Sequence, residues 1–341
     1  MSHLFSASLR LCGYLLFLSS LLAAEIAPTP EQKADLALLK GQIEGTIAFQ
    51  SNPDGKWAIY TVNVDGSNLT RLTDAKADDT LPQWTLDNKK LAFLSNRDGR
   101  GQVYWMDADG SNAEKLSEGD RDVKAFHITP NGRLITIQLG PREWLLQQST
   151  PAKGWQTHPI DLTGFPGTGG ELDIVPAPNG RRAAVCFSAG TGAPQGVYLL
   201  DIHPDGKLIN ADPKGAPLPP QRLGPGLCAA WAANSLRLLT PLYAPGGCDI
   251  FEWDLGKDTR QQITSDTGWE ITPAWSPRMD WVVYSAGPPQ QSDPAKGGYD
   301  LCLRELPDAK PIRLTFGPAS ALHPSWRGSV GGSKVPEMPA P

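Results

Sequence analysis

The chain has 341 residues, of which 40% are hydrophobic and 20% are charged, a composition that excludes a disordered protein. Its net charge of −5 at pH 7 excludes the strongly basic surface by which proteins bind nucleic acids or anionic membranes. The 35 Gly, 32 Pro and 11 Trp residues favour many short strands joined by tight turns.

Residues 1–24 have the pattern of a secretory signal peptide. Arg10 precedes an uncharged apolar segment, residues 11–22, and two alanines then lead to Glu25. The apolar segment is too short to span a bilayer. We therefore expect cleavage near Ala24 and a periplasmic or secreted protein that is soluble after cleavage.

Residues 25–45 form an extension that differs from the rest of the chain. Thr29 and Pro30 fit the N-cap and first position of a short helix. One apolar stripe of that helix would contain Ala34, Leu38 and Leu39. We expect the helix to lean on the main body of the protein.

A repeat begins after residue 45. Residues 51–72 and 95–116 match at 10 of 22 positions in the same register. The full unit has an apolar triplet, a turn, a segment of alternating aromatic and polar residues, a second turn rich in Asp, Gly and Asn, and then Leu-Thr. These pieces have strand length and are separated by residues that favour turns, so each copy predicts a β-meander.

Weaker copies of the same unit continue to residue 326. They are marked by a Trp or an equivalent apolar residue at Trp84, Ile128, Pro176, Trp231, Trp275 and Trp326. The spacings lie between 44 and 55 residues, close to the roughly 40–50 residues of a four-stranded propeller blade. A β-sandwich with coincidental turns would not produce six correlated units.

The sequence therefore predicts an all-β fold, a six-bladed β-propeller of four-stranded blades over residues 46–326. The first unit lacks the strand that carries the Trp, and the last unit ends on that strand. We expect the C-terminal strand to pair with the N-terminal blade, which removes the open edges of the ring. Blade three, about residues 129–176, fits the pattern worst. Residues 204–225 form a long Pro-rich connection, and residues 327–341 are predicted to be a disordered tail.

These motifs resemble the repeat of TolB-type β-propellers. The resemblance is carried by Pro82–Trp84, Leu91–Ser95 and Asp107–Asn112, and again by Pro273–Ser276 and Leu314–Thr315. It covers about residues 45–326. The resemblance implies a periplasmic propeller whose open face binds a partner protein. The family also has an α/β domain before the propeller, which we expect to be absent because residues 25–45 are too few to form one.

The sequence offers little evidence of catalysis or of a bound metal. The mature chain has four histidines, His127, His158, His203 and His323, without close spacing. His127 and His323 fall near the Trp positions, so we expect both to line the channel or the surface, and a three-ligand metal site is not predicted. The Asp107–Asn112 segment begins like a calcium loop, but a hairpin turn explains it better. No cofactor is expected.

The candidate binding site is the mouth of the propeller channel, where the innermost strands begin. The residues that we expect there are Asp79, Lys124, Glu171, Trp269, Glu270 and His323. Acidic, basic and aromatic side chains around a concavity suit a binding surface. The alternative is that these side chains only solvate a rim of loops.

Four cysteines remain after cleavage, and an oxidising compartment allows them to form disulfides. Cys228 and Cys248 are predicted to begin two strands of blade five on the same face, where a disulfide would close one loop. Two independent thiols remain an equal alternative.

The leading hypothesis is an exported, non-catalytic module that binds an envelope protein or a small ligand at the channel mouth and is monomeric. A second hypothesis is a propeller enzyme, a polysaccharide lyase or glycosidase, because an oligogalacturonate lyase with a histidine-bound metal also resembles this repeat. In that case Asp79, Glu171, Glu270 and His323 would be the acid–base or metal groups. A third is a structural scaffold in an envelope complex.

Overall fold

Strands make up most of the regular structure in the computed structural model. The structure describes residues 27–74, 76–85, 87–119, 121–128, 134–139, 144–150, 154–159, 172–187, 196–202, 210–211, 217–218, 221–227, 229–289 and 293–328. The predicted signal peptide, Glu171, Cys228 and the segment after residue 328 lie outside the described residues.

The N-terminal extension forms one helix, α1, over Pro30–Leu39. Thr29 and Gln32 form a reciprocal capping box, in which each side chain accepts a hydrogen bond from the other residue's backbone N–H. The prediction of the helix and its cap is confirmed, and of the predicted apolar stripe Leu39 is buried, whereas Ala34 and Leu38 are exposed. Leu36 and Leu39 are the buried residues, whereas Leu38 is 62% exposed. Leu36 contacts the body of the protein at Gly66, a contact that the helix periodicity alone does not reveal.

Four antiparallel sheets contain most of the strands of the first two thirds of the chain. Their strands are β1 (Thr46–Ser51), β2 (Ala58–Asn63), β3 (Thr70–Arg71), β4 (Asp79–Trp84), β5 (Lys90–Ser95), β6 (Gln102–Asp107), β7 (Glu114–Lys115), β8 (Asp122–Ile128), β9 (Leu134–Leu139), β10 (Trp144–Thr150), β11 (Gly154–Pro159), β12 (Leu172–Pro176), β13 (Arg182–Phe187), β14 (Gly196–Asp201), β15 (Asn210–Ala211), β16 (Pro217–Leu218) and β17 (Gln221–Gly224). The third unit, which fits the repeat worst, still forms the four-stranded order β11-β10-β9-β8. Strands β15 and β16 pair with each other inside the Pro-rich connection.

The last third of the chain forms two further meanders. Their strands are β18 (Ala230–Trp231), β19 (Arg237–Ala244), β20 (Gly247–Asp254), β21 (Thr259–Gln262), β22 (Trp269–Trp275), β23 (Trp281–Gly287), β24 (Asp300–Glu305) and β25 (Ile312–Arg313), with a short 3-10 turn at Pro294–Lys296. The last strand of the chain is β26 (Ala321–Arg327). A single parallel bridge, Cys248 with Trp269, joins β20 to β22 and links the two meanders into one sheet.

Strand β26 pairs with β1 rather than with its neighbour in sequence. The pairing is antiparallel and places Trp326 opposite Ile47, so the first sheet has the order β26-β1-β2-β3. The last strand of the chain is thus the edge strand of its first sheet.

The Asp-Gly-Ser-Asn segments of the two matching stretches, residues 51–72 and 95–116, fold into the same hairpin turn. Asp65 accepts hydrogen bonds from the backbone N–H and the hydroxyl of Ser67, and Asp109 does the same for Ser111. The intervening glycine of each turn has a positive φ, which favours glycine at that position. The Asp-Gly-Ser-Asn motif is therefore a self-bonded turn, not a calcium loop.

The second residue of the repeated Leu-Thr pair, which is a serine at Ser117, has a hydroxyl group with a structural role. In four meanders this hydroxyl accepts a hydrogen bond from the backbone N–H of a residue in an adjacent strand. The pairs are Thr73 with Ile59, Ser117 with Val103, Thr264 with Ile250, and Thr315 with Leu301. The hydroxyl satisfies a donor that a short outer strand leaves without a partner.

Apolar clusters join sheets that follow one another in the chain. Ala48 and Ile59 of the first sheet pack with Leu91 and Phe93 of the second. Similar clusters join the second sheet to the third and so on through the two C-terminal meanders. A further cluster packs Ile47 of the first sheet and the α1 leucines against the last meander. Each sheet therefore buries both of its faces against neighbours.

Candidate functional site

The inner strands β4, β8, β12, β18, β22 and β26 surround one cavity of about 340 Å³, here called the inner-strand cavity. Five of these strands end at the predicted Trp-equivalent position, and β26 ends one residue beyond it. Four indole side chains line the cavity, namely Trp84, Trp231, Trp275 and Trp326. Its polar lining residues include Gln83, His127, Asp173, Thr272, His323 and Ser325.

Side chains connect each inner strand to the next. The Trp231 indole donates to the carbonyl of Val175, 2.8 Å away, and the Trp275 indole donates to that of Ala230, 3.0 Å away. The remaining links are Gln83 to the Phe126 carbonyl, His127 to Asp173, the His323 backbone N–H to Thr272, and the Trp84 backbone N–H to Ser325. Together these contacts run from β4 through β8, β12, β18, β22 and β26 and return to β4.

Three inner strands carry the same backbone irregularity. Leu81, Thr272 and His323 each precede a proline and have φ values of 52°, 49° and 51°. The strand register shifts at each of these positions, as in a β-bulge. Positive φ is costly for residues other than glycine, so the surrounding structure holds these positions in place. The bulges begin the part of each strand that lines the cavity.

A hydrogen-bonded chain crosses the cavity wall from Gln83 to His127 and Asp173. Gln83 Nε2 donates to the Phe126 carbonyl at 2.9 Å, and Gln83 Oε1 accepts from the Ile128 backbone at 3.2 Å, which fixes the orientation of the amide. Gln83 Nε2 also lies 3.3 Å from His127 Nδ1, which must then accept. In the tautomer that carries its proton on Nε2, the His127 ring accepts from Gln83 and donates to Asp173 Oδ1, 3.3 Å away.

Asp173 is charged and His323 is neutral near pH 7. Burial opposes ionisation of Asp173, but the hydrogen bond from His127 and the electrostatic effect of His127 and His323 hold the pKa of its carboxyl below the usual value. Burial lowers the pKa of His323 to about 4, although Asp173 acts in the opposite direction. The cavity therefore holds a carboxylate between two imidazoles.

The predicted residue Asp79 is not an open surface acid. Its side chain is only 1% exposed, and its two oxygens lie 3.1 and 3.3 Å from the Arg97 guanidinium. Arg97 itself stacks on Tyr104 at 4.6 Å from the ring centroid. This ion pair joins the start of β4 to the loop after β5, so Asp79 has a structural partner.

Glu270 is also buried, with 2% of its surface exposed. Thr264 donates to Glu270 Oε2 at 3.2 Å, and Asp249 shares a hydrogen bond with the Glu270 carboxyl. Burial, followed by repulsion from Asp249, raises the pKa of Glu270 to about 8, and burial also raises the pKa of Asp249. The two carboxyls share a proton near neutral pH.

Lys124 and Trp269 lie near the starts of β8 and β22. Lys124 is exposed and forms an ion pair of 2.6 Å with Asp122. Trp269 is half-buried and meets Tyr243 edge-on, with 6.1 Å between ring centroids. Trp57 packs on the same buried cluster. Trp57, Tyr243 and Trp269 are here called the aromatic patch.

Of the five predicted site residues that the structure describes, His323 alone lines the inner-strand cavity, together with His127, which the sequence also placed near the Trp positions. Sequence reasoning missed Asp173, whose signal is a carboxylate inside the apolar segment of β12. It also missed Trp57 and Tyr243 of the aromatic patch. Glu171 and the proposed Cys228–Cys248 bridge involve residues outside the described part, so both remain predictions.

The described residues contain neither a metal-binding cluster nor a membrane-spanning helix. No group of three or more His, Cys, Asp or Glu side chains among them is arranged to hold a metal ion. None of the helices in the described part has the length and apolar character needed to cross a membrane.

Comparison with known proteins points to one kind of propeller. Residues 44–151 match the family model described as the TolB beta propeller domain. The fold resembles TolB from Acinetobacter baumannii with a TM-score of 0.62 and 16% identity, covering 83% of this chain and 66% of that one. It also resembles a putative TolB from Agrobacterium tumefaciens, with a TM-score of 0.57, 14% identity, and coverage of 84% and 99%.

A chain from a different kind of complex has a similar fold. A chain in a nidogen/laminin complex matches with a TM-score of 0.56 and 10% identity, covering 83% of this chain and 98% of that one. A search of curated proteins finds no significant match. At these identities the likenesses establish a fold and leave activity and partners open.

Proposed function

From the TolB-like propeller fold we propose that this chain is an exported, non-catalytic module that binds a protein partner in the cell envelope. The signal-peptide pattern of residues 1–24 supports export. A chain of a nidogen/laminin complex has a similar fold, which supports the use of this fold as a binding surface.

The proposal includes six blades arranged in a closed ring. The side-chain links between inner strands return from β26 to β4, and the apolar clusters join each sheet to the next. Pairing of β26 with β1 would then seal the ring. A blade has two apolar faces, so only an arrangement with neighbours on both sides buries them.

The contact surface that we propose is the face where the inner strands begin. The observation that carries this proposal is the aromatic patch, in which half-buried side chains from separate meanders meet over one buried cluster. Trp and Tyr are enriched in protein interfaces and supply much of the binding energy there. Lys124 lies on the same face and adds an exposed charge.

The enzyme alternative is weakened by the positions of its proposed acids. Asp79 is neutralised by Arg97, and Glu270 shares its proton with Asp249; both side chains are almost fully buried. A general acid or base must come within hydrogen-bond reach of its substrate. These two carboxyls therefore fit a structural role better than general acid–base catalysis on a polysaccharide.

The test is to isolate a partner and measure its affinity. The mature chain, immobilised, is incubated with envelope extract, the retained protein is identified and purified, and its Kd is measured by calorimetry. The test variants are Trp57→Ala combined with Trp269→Ala, and Lys124→Glu alone, which keeps the test valid if the aromatic double variant unfolds. Leu236→Ala is the control, because Leu236 is 51% exposed in the turn that follows β18, away from the strand starts.

We expect the double variant to weaken binding by about 30-fold or more, as loss of an interface hot spot does. Lys124→Glu should weaken it several-fold, and Leu236→Ala should leave it unchanged. Equal affinity for all three variants would show that another face binds. Retention of no protein above background, or cleavage of a polysaccharide by the purified chain, would contradict a protein-binding module.

A further inference from the structure

The inner-strand cavity has the chemistry of a site for a small organic cation, which goes beyond the proposed protein-binding face. Among its lining residues in the described part of the chain, Asp173 is the one carboxylate, and no Lys or Arg side chain lines it. About 32% of the Asp173 side chain is accessible. A charge enclosed by protein needs a partner of opposite sign.

The described neighbours of Asp173 in the cavity wall are imidazoles rather than Lys or Arg side chains. Asp173 Oδ1 lies 3.3 Å from His127 Nε2, and the other ring nitrogen of His127 lies 3.3 Å from Gln83 Nε2. Burial lowers the pKa of His323 to about 4, which opposes a positive charge on that ring near pH 7. Asp173 is thus the one acidic group of the described cavity wall and has no Lys or Arg partner there.

The walls favour an ammonium group over an inorganic ion. The indoles of Trp231 and Trp275 are held in place by their hydrogen bonds to Val175 and Ala230, and aromatic rings attract organic cations. Two lining indoles already contact cations of this chain, with Arg327 at 4.0 Å from the Trp84 ring and Arg237 at 4.5 Å from the Trp275 ring. The described residues lack the three-ligand group that a tightly bound metal needs.

We propose that the inner-strand cavity binds a small primary amine as its ammonium ion, with Asp173 as the counter-ion. The ammonium has three N–H donors. Asp173 takes one, and the neutral His323 ring and the Ser325 hydroxyl are further acceptors on the wall. A volume of about 340 Å³ has room for roughly ten water-sized groups, enough for an amine with a short alkyl chain.

The test uses a matched ligand series with the wild-type mature chain at pH 7.5. n-Pentylamine carries the ammonium, 1-pentanol has a similar size without charge, and pentanoate has the opposite charge. Binding is followed by calorimetry and by tryptophan fluorescence, since four indoles line the cavity. We expect n-pentylamine to bind at least tenfold more tightly than either analogue, and equal binding of 1-pentanol would overturn the proposal.

Variants then locate the site. Asp173→Asn keeps the shape of the side chain and removes the charge, so it should weaken n-pentylamine at least tenfold while the urea unfolding midpoint stays close to wild type. Asp122→Asn is the control, because Asp122 lies at the start of β8 and does not line the cavity. Unchanged binding by Asp173→Asn would overturn the proposal, as would stoichiometric displacement of n-pentylamine by Mn²⁺ or Mg²⁺ alone. The ligand series needs no partner protein, so its result is independent of the proposed binding face.

Discussion

At the scale of single residues, burial changes what an acidic side chain can do. Asp79 and Glu270 both occur near the start of an inner strand, and the sequence predicts both as exposed acids at the mouth of the channel. In the structure one is neutralised by Arg97 and the other is paired with Asp249. Lys124, also at a strand start, remains exposed. The difference depends on side chains that arrive from neighbouring strands.

Glu270 gives a prediction for the dependence of stability on pH. Its pKa rises from 4.5 to about 8 on folding, so the folded state keeps a proton that the unfolded state releases. The stabilisation is complete below the unfolded pKa and is lost as pH rises through the folded pKa. We expect the free energy of unfolding to fall between about pH 5 and pH 8, by at most about 1.4 kcal/mol per pH unit for this proton.

Glu270→Gln is expected to reduce this slope, because the amide imitates the protonated acid at every pH. Urea unfolding at several pH values measures it. Asp249 and Asp300, whose pKa values burial also raises, contribute to the remaining slope. Glu305→Gln is the matched control, since Glu305 is exposed at the end of β24. A Glu270→Gln variant with the full wild-type slope would rule out the shared proton.

At the scale of elements, the sequence predicted where the inner strands end but not how they bend. Trp231 and Trp275 mark strand ends because each indole donates to the carbonyl of the preceding inner strand. The bulges at Leu81 and His323 shift the register and decide which residues line the cavity. A bulge depends on contacts with other sheets, so a one-dimensional pattern does not contain it.

The candidate site was less predictable than the fold for the same reason. The sequence indicated that His127 and His323 lie near the inner strands, and both line the cavity. Asp173 becomes a candidate site residue because it contacts His127, which lies on another sheet. The aromatic patch likewise combines Trp57 with Trp269, residues that are far apart in the chain. Repeats predict the scaffold, whereas sites form from residues at which the copies differ.

The hairpin turns allow a second prediction with an internal control. Gly110 and Gly119 both have φ of 89°, so alanine introduces the same backbone strain at each. A Cβ at Gly110 would lie 3.0 Å from the Leu72 carbonyl oxygen, while a Cβ at Gly119 would meet nothing within 4 Å. Gly110→Ala should therefore destabilise the protein more than Gly119→Ala, by about 1–3 kcal/mol of overpacking.

Urea unfolding of the two glycine variants and the wild type gives this difference directly. The Asp-Gly-Ser-Asn turn of the second sheet packs against the end of the first sheet through Gly110, so the measurement reports on contact between sheets. Equal losses for the two variants would mean that the turn shifts freely away from Leu72. Both alanine variants carry the same backbone strain, so this strain cancels when their free energies of unfolding are compared. The difference then measures the steric contact with Leu72.

At the scale of the whole molecule, stability depends on strand β26. It pairs with β1 along the first sheet and packs near β4 and β22 on either side. Ile47 of β1 is fully buried in the cluster that joins the first sheet to the last meander. Long-range contacts of this kind hold together elements from the two ends of the chain, and they cost more loop entropy to form than local ones.

Removal of β26 should therefore affect the entire protein rather than one sheet. A chain that ends at residue 319 would leave β1 as an open edge, and such edges pair with other chains. We expect this variant to elute as larger species in size-exclusion chromatography with light scattering and to lose cooperative urea unfolding. A chain that ends at residue 328 keeps β26 and should match the full-length protein in both measurements. A monomeric, cooperatively unfolding chain ending at residue 319 would contradict closure by β26, because the remaining sheets would then be stable without the strand that returns to the first one.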